Sequence, residues 1–352
     1  TANITNNLSN RNLIINGAMQ VAQRGTSVAW ASNSYLTCDR WFHNITNSGG
    51  RFTSKQTADS PDGLGGKCLE LDVTTADTSI ASNEHAILQY RFEGQDVQQL
   101  AKGTAGAKKF TVSFYVKGNG NATYMCEFFD RTNTRTIQQQ FSVTSSWSRV
   151  TLTFNNETSN GTINNDHSHE FDMQLWLHAG SDFTSGTYTA NTWAGQTNAN
   201  RAVGISSLFS STDNFLKITG VQLEVGSVAT DFEHRSYGQE LALCQRYYFH
   251  LVSGNDKLIG LGMNYGNPDF FAEVTFPVTM RAAPSLDITT GTDYYRMYQA
   301  NSSGDDMNSF VISRANTNKC NLYDSGSGGS IGKGGLLVTN NASASVAFSS
   351  EL

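Results

Sequence analysis

Charge is scarce in this chain. Lys, Arg, Asp and Glu make up 15% of its 352 residues, and 24 basic against 30 acidic residues leave a net charge of −6. That balance excludes nucleic acid as the main partner, because such binding rests on Lys and Arg neutralising phosphates. It argues equally against an anionic membrane surface. Prolines number 4. No apolar run approaches the roughly 18 residues a spanning helix needs, so no membrane insertion is expected. The polar opening, residues 1–10, carries no signal-peptide pattern. The cysteines, Cys38, Cys68, Cys126, Cys244 and Cys320, are odd in number and form no CxxC pair. Reduced, buried thiols are expected rather than a disulfide framework or a zinc site.

What is abundant points to β-structure. Glycines number 32, aromatics make up 11%, and Asn, Ser and Thr are frequent. These polar residues compete with helical backbone hydrogen bonds and favour turns and strands. The aromatic content excludes disorder over most of the chain. Length suggests two domains.

Strands show by alternation. Phe110, Val112, Phe114 and Val116 share a face, opposite Thr111, Ser113, Tyr115 and Lys117, and a Gly-Asn-Gly-Asn turn follows at 118–121. Residues 122–129, 150–154, 171–178 and 216–225 continue the series, as a sandwich or jelly roll would. Polar stretches at 155–169 and 181–201 are too long for hairpins and read as rim loops, where binding tends to sit. Residues 236–249 carry Leu241, Cys244 and Tyr248 at helical spacing, a short connector helix or an oligomer contact. Strands resume at 272–276, 294–298, 310–312, 336–338 and 346–348, with a flexible-looking Gly/Ser stretch at 324–335. The expected organisation is all-β: a short arm (1–10), an N-terminal jelly-roll β-sandwich (11–235), a short helical connector (236–250) and a C-terminal β-sandwich domain (251–352).

Catalytic signatures are missing. There is no GxSxG elbow and no HExxH helix. The Gly-rich run 327–334 fails as a P-loop, with Ser at its first position and Gly at its last. The run Asp166-His167-Ser168-His169-Glu170 offers two imidazoles and two carboxylates, yet no further ligand is in view and a solvated loop is expected. Glu127, Asp172 and Glu224 lie on strands and read as solvent-facing, although a paired-carboxylate glycosidase is not excluded by sequence. No catalytic residue, metal or cofactor is assigned.

Trp176 is the most informative residue. If Phe171, Met173, Leu175 and Leu177 face the core, Trp176 falls on the other face with Asp172, Gln174 and His178. An aromatic ring flanked by planar polar groups is what sugar binding uses: the ring stacks on a pyranose while amide and carboxylate bond its hydroxyls. Tyr115 lies on a comparable face, and Tyr188 and Trp193 lie in the long polar loop nearby. The expected glycan site is therefore Trp176, Gln174, Asp172, Tyr115, Trp193 and Tyr188. The alternative is that Trp176 packs under a loop, between sheets or at a subunit contact.

Several segments together resemble a known group of proteins. Residues 12–17 (Asn-Leu-Ile-Ile-Asn-Gly), Gln23-Arg24-Gly25-Thr26 and Asp39-Arg40-Trp41 resemble the opening of carbohydrate-binding-like jelly rolls in phage tail fibres and other virion proteins. Residues 220–226 and 229–233 resemble that module's closing strand, residues 240–248 its connector, and residues 276–284 the start of the C-terminal β-domain. The resemblance spans residues 11–352. It implies a phage structural protein with a galactose-binding-like jelly roll and a distal β-sandwich, commonly a homotrimer. Asp39-Arg40-Trp41 is structural in this reading. Related modules carry an acidic residue after the opening Asn-Gly that helps hold calcium. Ala18 and Met19 stand here instead, which argues against a structural calcium.

With only a short arm before the jelly roll, the chain is expected either to be a fragment or to dock onto other virion proteins through residues 1–10. Three functions are carried forward: a virion surface appendage, in a tail or capsid fibre, that binds host-surface glycans; a capsid decoration or cement protein that binds no sugar; and a glycan depolymerase. The first places an exposed aromatic patch at Trp176 and Trp193.

Overall fold

The computed structural model describes residues 10–266, 269–299, 304–326 and 331–352. Residues 1–9 of the expected docking arm (1–10) and part of the Gly/Ser stretch (327–330) lie outside them. The chain is all-β and divides into two units, residues 1–240 with Leu352, and residues 241–351. No helix among the described residues is long and apolar enough to cross a membrane.

The N-terminal unit is a jelly-roll β-sandwich. One sheet has six strands, in the order Ser27–Ala29, Arg51–Thr57, Cys68–Thr75, Phe215–Val225, Phe110–Gly118 and Ser148–Phe154. The other has seven, in the order Ala194–Gly195, Arg135–Val143, Ala122–Asp130, His169–Ala179, His85–Glu93, Trp41–Thr46 and Ser34–Tyr35. Pairing is antiparallel throughout. The inward faces meet in one core, in which Phe110, Phe128, Phe154 and Phe171 pack ring against ring, with centroids 4.9–6.3 Å apart. Such pairs add about 0.5–1.5 kcal/mol beyond their burial.

The opening Asn-Gly segment earns its residue types by locking the sandwich shut. Asn12 donates its amide to the Val221 carbonyl at 3.0 Å and accepts from the Leu223 N–H at 3.0 Å. A Cβ on Gly17 would lie 2.1 Å from the Val221 carbonyl oxygen, so only glycine permits this approach to the closing strand. Asn16, at φ +58°, bonds the Val21 and Asp39 carbonyls. Trp41 and Arg40 are fully buried, and Arg40 donates to the Arg91 carbonyl.

The connector forms the helix Tyr237–Gln245, started by a capping box. Gln239 N–H donates to Ser236 Oγ at 3.3 Å, and Gln239 Oε1 accepts from Ser236 N–H at 3.0 Å. The expected oligomer contact is corrected here: Cys244 and Tyr248 are buried within the chain, Leu241 is half-buried, and Tyr248 donates its hydroxyl to Asp287. Leu241 and Cys244 lie on the helix, while Tyr248, expected on the same helical face, begins the next strand.

The C-terminal unit packs a three-stranded sheet, Tyr248–Ser253, Ser345–Ser349 and Ser285–Ile288, with a seven-stranded one. The larger runs Asp305–Met307, Tyr295–Gln299, Gly334–Thr339, Leu258–Asn264, Phe270–Thr275, Lys319–Asp324 and Val311–Ser313. Its inner face supplies Phe270, Ala272, Val274, Tyr295, Met297, Leu322 and Leu337 to the core.

Candidate functional site

Two sheet faces are candidates, and they differ in one respect: the N-terminal one is covered and the C-terminal one is open. On the strand His169–Ala179 the alternation holds, with Phe171, Met173, Leu175 and Leu177 in the core and Asp172, Gln174, Trp176 and His178 on the opposite face. That opposite face is not exposed. Residues 180–206 fold back across it as a roof. Phe183 and Tyr188 from the roof pack with Trp176, Ile87, Met125 and Ala202, and Trp176 is only 1% exposed.

Arg201 pins the roof down. Its Nε lies 3.0 Å from both Glu127 carboxylate oxygens, and its Nη2 lies 2.6 Å from Oε1 and 3.1 Å from Gln174 Oε1. The guanidinium stacks 4.8 Å above Trp176 and 5.1 Å from Phe129. Burial pushes the Glu127 carboxyl upward, and Arg201 works against that rise. Asp172 pairs with Arg131 at 3.2 Å and with His169, and these partners hold its carboxyl below the usual range against the opposing effect of burial.

The expected glycan site is therefore corrected. Asp172, Gln174 and Trp176 do come together, but buried under the roof, with no Trp176 ring face for a sugar, and Tyr188 packs half-buried against Trp176. The Tyr188 hydroxyl accepts from the Gln140 N–H. Trp193 packs on the core edge near Phe171 and donates its indole N–H to the Asn155 carbonyl. Tyr115 sits on the other sheet beside Arg149. The stretch 181–201 looked like a rim loop and is instead the roof. Glu127 and Asp172, expected to face solvent, are both fully buried, and Glu224 is nearly so, accepting from Thr230. The Asp166–Glu170 run does not converge on a metal: His169 turns to Asp172, while Glu170 accepts from Asn164.

The open face belongs to the seven-stranded sheet of the C-terminal unit. Register aligns two outward rows. Tyr298, Leu336, Leu261, Glu273 and Asn321 form one; Met263, Phe271, Tyr323 and Val311 form the other. Tyr265 is 74% exposed and Leu261 69%, with Met263, Val311 and Leu336 also exposed. Monomeric proteins seldom leave a contiguous apolar stripe without a use for it.

A pocket of about 520 Å³ opens on this stripe. Phe271 and Met263 line it, Tyr265 lines it with its ring 6.1 Å from Phe271, and Glu273, Arg314 and Asn321 complete the lining. Arg314 holds a left-handed backbone, φ +48°, and its guanidinium lies 5.2 Å from the Phe271 ring centroid. Strain of this sort costs on the order of 1 kcal/mol and gathers at functional positions. The volume and the mix of apolar lining with a few polar groups are those of a small-ligand site. Sequence reading passed over this strand. The signal was its outward Leu261 and Met263 alternating with Gly260 and Gly262, residues too small to fill a core unaided; Phe270 packs into the space at Gly262.

No protein-family model and no curated protein matches the chain. Among solved structures, the enzymatically active domain of bacteriophage CBA120 tailspike protein 4 is 12% identical with a TM-score of 0.32, covering 61% of this chain and 21% of the tailspike chain. TmCBM61 in complex with β-1,4-galactotriose is 9% identical with a TM-score of 0.30, covering 61% of this chain and 99% of its own. The family 11 carbohydrate-binding module from Clostridium thermocellum, in complex with a β-1,3-1,4-mixed-linked tetrasaccharide, is 10% identical with a TM-score of 0.28, covering 59% of this chain and 98% of its own. At these TM-scores the likenesses carry no functional weight.

Proposed function

We propose that this chain is a non-enzymatic surface appendage of a virion that binds host-surface glycans through the open pocket of its C-terminal unit. The observation that carries the reading is the pocket's composition: an exposed tyrosine ring beside planar carboxylate, guanidinium and amide groups. Tyr265 offers a face for the C–H side of a pyranose. Glu273, Arg314 and Asn321 supply both donors and acceptors for hydroxyl groups. A non-enzymatic role is supported by the buried carboxylates: Glu127 and Asp172 are tied up in ion pairs under the roof. The virion location rests on the resemblance of residues 11–352 to phage appendage proteins. The test is a glycan array probed with the intact chain and with Tyr265→Ala. Saturable binding by the wild type that the variant loses supports the reading, and equal binding by both removes the pocket from it.

One observation favours a second reading. Leu258, Leu261, Met263, Val311 and Leu336 are aliphatic and exposed, and aliphatic surface is better matched by protein than by sugar. In that reading the stripe is buried against another chain, in a homotrimer or on a particle the protein decorates. Sedimentation separates the two: a trimer that Leu336→Asp dissociates, with no glycan bound, supports the second.

A further inference from the structure

At one end of the N-terminal sandwich three side chains from different elements meet. Asp77 follows the strand Cys68–Thr75, Glu84 precedes the strand His85–Glu93, and His178 is near the end of the strand His169–Ala179. One donor atom from each lies within 4.8 Å of the others. His178 is fully buried and the Glu84 side chain is 7% exposed.

The cluster is short of positive charge. Two carboxylates face each other here, and neither forms an ion pair with a lysine or arginine among the described residues. A buried carboxylate beside a second one favours a bound counter-charge.

The donor geometry supplies the rest. His178 Nε2 and Glu84 Oε2 are 3.3 Å apart. That is long for a charge-assisted hydrogen bond, usually about 2.7–2.9 Å. It equals the edge of a tetrahedron whose corners lie about 2.0 Å from a central ion. The outer groups are also in place. His178 Nδ1 is 2.7 Å from Ser207 Oγ, and the tautomer with its proton on Nδ1 leaves the Nε2 lone pair aimed at the carboxylates. Asp77 Oδ2 accepts from Ser48 Oγ and from Gly49 N–H, each at 2.7 Å, which fixes the carboxylate. Asp77 is half-buried, so its carboxylate is reachable from solvent.

We propose that Asp77, Glu84 and His178 form a binding site for a divalent transition-metal ion, with zinc the ion their donor set fits. One imidazole and two carboxylates are a donor set that suits zinc. Calcium takes six to eight oxygens at longer distances, and magnesium an octahedron of oxygens. The bound ion ties the 76–84 loop to the end of the roofed strand. This site is separate from the glycan pocket and does not depend on it.

The test uses the intact chain stripped with a chelator and titrated calorimetrically with zinc chloride. One zinc is expected per chain, with a rise in the midpoint of thermal unfolding followed by tryptophan fluorescence. Asp77→Asn keeps the size of the side chain and is expected to weaken binding roughly tenfold or more. Cobalt in place of zinc is expected to give the strong visible absorption of a four-coordinate ion in the wild type and not in the variant. No stoichiometric uptake by the wild type overturns the proposal, as does undiminished binding by Asp77→Asn. Calcium binding more tightly than zinc overturns the assignment of the ion. Should Asp77→Asn fail to fold by circular dichroism, Glu84→Gln is read by the same criteria.

Discussion

Replacing Arg201 with alanine tests whether the roof is held by its buried charge. In the wild type, four short contacts tie the guanidinium to Glu127 and Gln174, and Glu127 is fully buried. Arg201→Ala leaves that carboxylate without its partner. Breaking a buried pair from one side costs about 3–5 kcal/mol, because the remaining charge has neither water nor counter-ion. At typical urea dependences this lowers the unfolding midpoint by roughly 1–2 M. Tryptophan fluorescence is the right probe, since Trp30, Trp41, Trp147, Trp176 and Trp193 all lie in the N-terminal unit.

The pH dependence gives a second check. Without Arg201, burial, helped by the nearby Asp172 charge, raises the folded-state pKa of Glu127 above the unfolded value. The folded state then binds the extra proton, so stability is retained below the unfolded pKa and lost as pH rises through the folded one. The deficit is expected to be small near pH 4 and to grow toward pH 7. Replacing both residues by leucine is expected to return stability to within about 1 kcal/mol of wild type or better. A loss under about 1 kcal/mol in Arg201→Ala, or one independent of pH, refutes this account of the roof.

Trp176→Ala is expected to destabilise the N-terminal unit by about 3–5 kcal/mol through cavity formation, while glycan binding by the folded fraction is unchanged. Calorimetry or denaturant unfolding beside a binding assay checks both halves. All five cysteines are buried. Burial raises the Cys38 and Cys126 thiols well above their usual range and the Cys320 thiol to about 12. An aromatic disulfide reagent is therefore expected to react with none of them rapidly until urea unfolds the chain.

Much of the fold was legible because strand alternation is local. Phe110–Val116 and Phe171–Leu177 name their inward faces within eight residues. The roof was not legible, because covering the second face of a strand depends on where a distant segment lies. Glu127 and Arg201 are 74 positions apart, and nothing near either one announces the other. Trp176, Gln174 and Asp172 sit on the expected face, so only their exposure was misjudged. Polar residues there looked solvent-facing because sequence gave no view of the arginine and histidine that satisfy them. In the C-terminal unit the strand of Leu261 and Met263 was passed over, and both side chains lie in the open. Leu241, Cys244 and Tyr248 read as one helical face and an oligomer contact, but the helix ends at Gln245 and Tyr248 opens a strand, with Cys244 and Tyr248 buried in their own chain.

The most direct test of the central claim is a binding isotherm for the intact chain on host cells and on the glycan that an array selects, compared with Tyr265→Ala and Arg314→Ala. The account predicts saturable binding that both substitutions reduce by roughly tenfold or more, as loss of about 1.4 kcal/mol requires, with the fold intact by circular dichroism. Binding unchanged in both variants would contradict it.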